Sequence, residues 1–93
     1  MAELGQLREQ IDAVDEEIFR LFAQRMSISL QIAEAKREMG KAVLDPAREQ
    51  EKIRSARARV PEGLEDEAQA LMEVLMASSR RVQTEAADGT EGR

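Results

Sequence analysis

Arg25 and Lys36 stand eleven residues apart in a stretch without proline. On a helix, which turns about 100° per residue, that spacing returns Lys36 to the face of Arg25 after roughly three turns. Leu21, Ile28 and Ile32 share the face, and Ser29 is its other polar residue. Helix cations are ordinarily neutralised by acids three or four positions away. Their neighbours obey: Arg8 has Asp12, Arg20 has Glu16 and Glu17, and Arg37 has Glu34. At the same offsets Arg25 has Leu21, Phe22, Ile28 and Ser29, and Lys36 has Ile32, Ala33, Met39 and Gly40. Neither has a local acid. A desolvated cation costs several kcal/mol unless something compensates it. For one such residue, a Glu from another helix or snorkelling to solvent suffices. Two on one apolar face point to an anionic ligand.

Two other stretches carry candidate polar groups. In Val43-Leu44-Asp45-Pro46-Ala47-Arg48-Glu49-Gln50, Asp45 reads as a helix N-cap and Pro46 as the first helical residue. That places Arg48 and Glu49 in the first turn, among few apolar residues. Further on, Met72, Met76, Ser79 and Gln83 form a line at spacings of four, three and four. Facing Arg25 and Lys36, Ser79 and Gln83 would be neutral hydrogen-bonding groups in a cationic pocket. Otherwise they are solvated positions, and Ser78 is a rival for Ser79.

The composition removes other chemistries. The chain has no Cys and no His, so it has no thiolate, no imidazole ligand and no base of the usual kind near neutral pH. Two Phe, with no Trp or Tyr, leave no stacking platform for single-stranded nucleic acid, and a net charge of −5 disfavours duplex phosphate. No apolar run is long enough for a membrane span and no signal-peptide core is visible, so a soluble cytoplasmic protein is expected.

Three helices must position these residues. The apolar positions Leu4, Leu7, Ile11, Val14, Ile18, Leu21, Ile28 and Ile32 recur every three or four residues, save where Arg25 takes the seam position between Leu21 and Ile28, predicting one helix from about Ala2 to Glu38, closed by Gly40. A second runs from Asp45-Pro46 to about Arg59, with Arg54, Arg57 and Arg59 read as solvated. Val60-Pro61-Glu62-Gly63 is a turn. A third starts near Leu64 with Glu65, Asp66 and Glu67 in its first turn, and is expected to bury Leu64, Ala68, Leu71, Leu75 and Val82. Residues 1–85 form a single all-α domain, and 86–93, small and polar, read as a disordered tail or a severed linker. A helix of about 36 residues is roughly 54 Å long, whereas a compact chain of this length is only about 30 Å across. The first helix therefore overshoots its own domain. An intertwined homodimer would cover its stripe; an exposed coiled coil is the alternative.

Taken together, Arg8 in LREQIDAVDEEI, Arg25 in LFAQRMSIS, Lys36 in IAEAK, Asp45 with Arg48 and Glu49 in LDPARE, and the Ser79-x-x-x-Gln83 pair resemble the all-helical chorismate mutases. The resemblance covers roughly residues 4 to 84, with a short deletion near Pro61–Gly63. It implies an intertwined dimer with two shared sites, no cofactor or metal, and rearrangement of chorismate to prephenate on the way to phenylalanine and tyrosine. By resemblance, Arg8 of the partner chain, Arg25 and Ser79 hold the two substrate carboxylates. Lys36 and Gln83 donate to the ether oxygen, with Lys36 also near a carboxylate. Glu49 and the backbone at Asp45 take the ring hydroxyl, and Arg48 orients the ligand or Glu49. The trans role of Arg8 has geometric support, since it lies about 25 Å before Arg25 along the helix and about 100° around it. Two alternatives stand beside this reading. An isochorismate pyruvate lyase of the same fold makes salicylate, but that family lacks the Glu matching Glu49. A non-catalytic dimerisation or regulatory module would only sense such ligands.

Overall fold

The computed structural model describes residues 3–87. It is all-helical, as expected, with α1 at Leu4–Met39, α2 at Pro46–Ala58 and α3 at Glu65–Ala87. No helix among the described residues is long and apolar enough to cross a membrane. Each boundary has a local cause. Gln6 Oε1 accepts from the Glu3 N–H at the start of α1. At its end Gly40 takes φ 70°, where an L side chain would be strained, so that the Gly40 and Lys41 N–H groups close on the carbonyls of Arg37 and Lys36. Asp45 caps α2, its Oδ1 accepting from the Arg48 N–H at 3.1 Å, with Pro46 at the first position. Before α3, Gly63 lies at φ 101° and donates to Glu65 Oε1. Backbone N–H groups around that carboxylate, including Gly63's, hold its pKa below the usual range. The third helix runs two residues past its predicted end at Glu85, and the rest of the predicted tail lies outside the described residues.

α3 is the hub. It packs on both α1 and α2, which do not pack on each other. The chain measures 56 × 31 × 15 Å with a radius of gyration of 16.9 Å, against about 12 Å for a compact chain of this length. The long dimension is that of α1. Along its N-terminal half Leu4, Leu7, Ile11, Val14, Ile18 and Leu21 are exposed.

The third helix corrects one expectation. Leu64 and Leu71, predicted to be buried, are 49% and 58% exposed. The side of α3 turned toward α1 and α2 is instead the Met76–Ser79–Gln83 line, all buried. Ala68, Leu75 and Val82 are half-buried. The rest of the buried set is small, Ser29, Ala33 and Ala56, and no large side chain among the described residues is fully enclosed. Arg57 also departs from its solvated reading. It reaches from α2 to α3 and donates to Asp66 Oδ1 at 3.0 Å and Gln69 Oε1 at 2.9 Å.

Candidate active site

A cleft of about 440 Å³ opens between the C-terminal half of α1, the start of α2 and the C-terminal half of α3. Its walls include Arg25, Lys36, Asp45, Arg48, Glu49, Ser79 and Gln83, seven of the eight residues singled out from sequence. The eighth, Arg8, lies far up α1 and takes no part in it.

Arg25 is the pivot. Its Nη1 donates to Ser79 Oγ at 2.6 Å and to the Leu75 carbonyl at 3.2 Å, and Nη2 approaches Met72 Sδ at 4.0 Å. All three acceptors are neutral. Burial without a counter-charge pulls the guanidinium below its ordinary pKa, though an arginine so placed stays cationic. Ser79 Oγ also accepts from Ser29 Oγ at 2.8 Å. With both lone pairs engaged, the Ser79 proton is left for an acceptor in the cleft. Its rival Ser78 faces elsewhere. It lines a separate apolar cleft of about 480 Å³ with Ile18, Phe19, Phe22, Leu71 and Leu75.

Lys36 Nζ donates to the Val43 carbonyl at 2.6 Å, tying the α1–α2 connector over the end of the cleft. An ammonium carries three protons, so two remain for a ligand. Among the described residues no carboxylate pairs with Lys36 or with Arg25. Gln83 is 6% exposed, and its Oε1 is buried without a hydrogen-bond partner. An unsatisfied buried polar atom costs about 1–3 kcal/mol, a penalty tolerated more readily at a binding site than in a packing core.

The first turn of α2 supplies the fourth side. Arg48 Nη1 pairs with Glu51 Oε1 at 2.7 Å on the exposed outer face, not with Glu49. Glu49 is instead held across the cleft by Arg80 of α3. Arg80 escaped the reading from sequence, as did Lys52, which also lines the cleft. The signal for Arg80 was present. At three and four positions on either side stand Met76, Ala77, Gln83 and Thr84, with no acid among them, as for Arg25 and Lys36.

The arrangement is a concave surface with neutral donors and five cations, of which Arg25, Lys36 and Lys52 have no ion-pair partner among the described residues. It can clamp a small compound bearing more than one negative charge and hold donors against a further oxygen. Its volume falls within the range of about 300–1,000 Å³ common to small-molecule sites.

Comparison with known proteins bears on the same residues. A chorismate mutase of Methanocaldococcus jannaschii is 39% identical over 46 residues, which make up 50% of this chain and 46% of that protein. The chain thus spans about half the length of that curated relative. No solved structure gives a significant match. The family described as chorismate mutase type II matches residues 7–84, a span that takes in the three helices almost whole and every predicted site residue from Arg8 to Gln83. On that match, the chain belongs to the chorismate mutase type II family.

Proposed function

We propose that the cleft binds chorismate and converts it to prephenate. The observation that carries this reading is the convergence of Arg25 and Lys36, both without acidic partners, with Ser79, Gln83 and Glu49 in one small cleft. In this rearrangement the ether C–O bond breaks as a C–C bond forms, and no proton is transferred. A chain without His or Cys is suited to it. What the site must supply is selection of the compact conformer of a flexible dianion, and donors for the charge that grows on the ether oxygen.

Arg25 and Ser79 take one carboxylate. Lys36 and Gln83 donate to the ether oxygen, with Lys36 also near a carboxylate. Glu49 and the backbone at Asp45 accept the ring hydroxyl, and Arg48 closes the outer side. The second carboxylate then falls to Arg8 of a second copy of the chain. Support for that copy is the exposed apolar stripe from Leu4 to Leu21 and, among the described residues, the absence of any fully enclosed large side chain. Two copies paired along α1 bury the stripe and bring each Arg8 toward the other's cleft.

The test is to offer purified protein chorismate and isochorismate separately and identify the products by chromatography and NMR. Prephenate from chorismate is expected. Salicylate and pyruvate from isochorismate, with chorismate untouched, would reassign the cleft to the lyase reaction. No turnover of either, with folding intact, would leave a non-catalytic module.

A further inference from the structure

The Glu49–Arg80 ion pair sets the cleft apart from the rest of the surface. Of the ion pairs among the described residues, four are local pairs within one helix and more than half exposed. Two join different helices. Arg57–Asp66 lies outside the cleft, with Asp66 90% exposed. Arg80–Glu49 is the least exposed, at 38% and 23%, and it alone lies in the cleft. Arg80 Nη1 donates to one carboxylate oxygen of Glu49, Oε2, whereas Oε1 takes part in none of the hydrogen bonds among the described residues.

A carboxylate in a site for a dianion poses an electrostatic problem, because it repels the ligand whose hydroxyl it is to accept. It also has choices. Lys52 stands one turn along α2, and Arg48 is its neighbour in sequence. An unconstrained Glu49 can rotate to either cation and turn away from the ligand. A donor fixed on α3 removes both difficulties, since it neutralises the charge and leaves one oxygen open.

We propose that Arg80 is a positioning residue for Glu49. It holds Oε2 so that Oε1 is presented to the ring hydroxyl of the ligand, and it offsets the repulsion between Glu49 and the ligand's carboxylates. Arg80 acts through Glu49 and not on the ligand. The inference rests on the reading of the cleft as a chorismate site.

The experiment is a double-mutant cycle on Arg80→Leu and Glu49→Gln, with Arg80→Lys as the conservative variant. Steady-state kinetics on chorismate are paired with inhibition by two bicyclic ether dicarboxylates, one bearing the ring hydroxyl and one lacking it. A hydrogen bond to a charged group corresponds to roughly tenfold or more in affinity. Arg80→Leu is therefore expected to lower kcat/KM by about tenfold, and Arg80→Lys to restore most of it. In the Glu49→Gln background the further loss from Arg80→Leu should fall to about twofold or less, because Gln carries no charge to neutralise and no second acceptor oxygen to present. Arg80→Leu should weaken both bicycles through the uncovered charge of Glu49, and the hydroxylated one severalfold more, because it alone also loses the oriented acceptor. A loss that persists in Glu49→Gln and applies equally to both bicycles would mean that Arg80 contacts a ligand carboxylate itself. A fall in thermal midpoint with both bicycles weakened alike would make its role structural. Either result, in an active wild type, overturns the proposal while leaving the activity in place. A wild type that neither converts chorismate nor binds either bicycle overturns the reading of the cleft, and the role of Arg80 with it.

Discussion

Arg25 Nη1 lies 2.6 Å from Ser79 Oγ, although fifty-four positions separate the two residues in sequence. This contact, with the Ser29–Ser79 hydroxyl pair beside it, sets the rotation of α3 against α1 in the polar layer of the molecule. Ser79→Ala should be felt twice. Ser29 loses its acceptor in a buried position, and Arg25 keeps only the Leu75 carbonyl and Met72 sulfur to hold its guanidinium. The expected loss of stability is about 1–2 kcal/mol, read as a lower urea midpoint at unchanged slope. The kinetic effect should fall mainly on KM if, as proposed, the residue helps to bind a substrate carboxylate. An unchanged urea midpoint would show that the Ser79 contacts add nothing to folding.

Assembly is the second expectation. Among the described residues the buried apolar set is Ala33, Ala56 and Met76, a small core from which a single copy is expected to be unstable. A chain that folds as a dimer has a thermal midpoint that rises with protein concentration. Sedimentation should give twice the chain mass of 10.4 kDa. A folded monomer at micromolar concentration would contradict this.

Sharing of the sites between two copies is the third expectation, motivated by the position of Arg8, outside the cleft and about 25 Å along α1 from Arg25. Arg8→Ala and Arg25→Ala should each be nearly inactive. In a heterodimer of the two variants, one site draws Arg25 from the first chain and Arg8 from the second and is intact, while the other lacks both. Mixing and refolding should therefore return up to about a quarter of wild-type activity when chains pair at random. With the heterodimer shown to form, an absence of recovery would place Arg8 outside the partner's site.

The pH dependence of Gln83→Glu tests the ether-oxygen donor. A neutral amide donates at any ordinary pH, so the wild-type rate should vary little between about pH 5 and 8. A Glu at this position donates only when protonated. As a carboxylate it points lone pairs at an oxygen that is gaining negative charge, and it pairs with Lys36. Burial raises the pKa of the new acid, because it penalises the charged form, and Lys36 lowers it. Loss of one such donor typically costs about 3 kcal/mol, on the order of a hundredfold in rate. The variant should be poor at neutral pH and climb as the pH falls through the acid's pKa, with circular dichroism confirming that it stays folded. A profile parallel to wild type would remove Gln83 from that role.

The three helices were legible in the sequence because their causes are local. Asp45, Pro46 and Gly40 act on hydrogen bonds within a turn of themselves, so the ends of α1 and α2 fell within a residue or two of expectation. The absence of acids at three and four positions from Arg25 and Lys36 is likewise a property of a short window. It was enough to pair them on one face, and applied to Arg80 it would have found that residue too.

Which face of α3 is turned inward was not legible. Consecutive helical residues differ by about 100° in direction, so the choice between Ser78 and Ser79 is a choice of rotation about the helix axis. Spacing alone made Leu64 and Leu71 the natural core. In the folded chain the inward face is Met76, Ser79 and Gln83, the side on which Ser79 meets Arg25 and Ser29 of α1. The same rotation carries Arg80 to Glu49 and brings Arg57 within reach of Gln69. Local hydrogen bonding determined the helices and the residues available to a site. Long-range pairing of polar groups between helices decided which of those residues share a cleft.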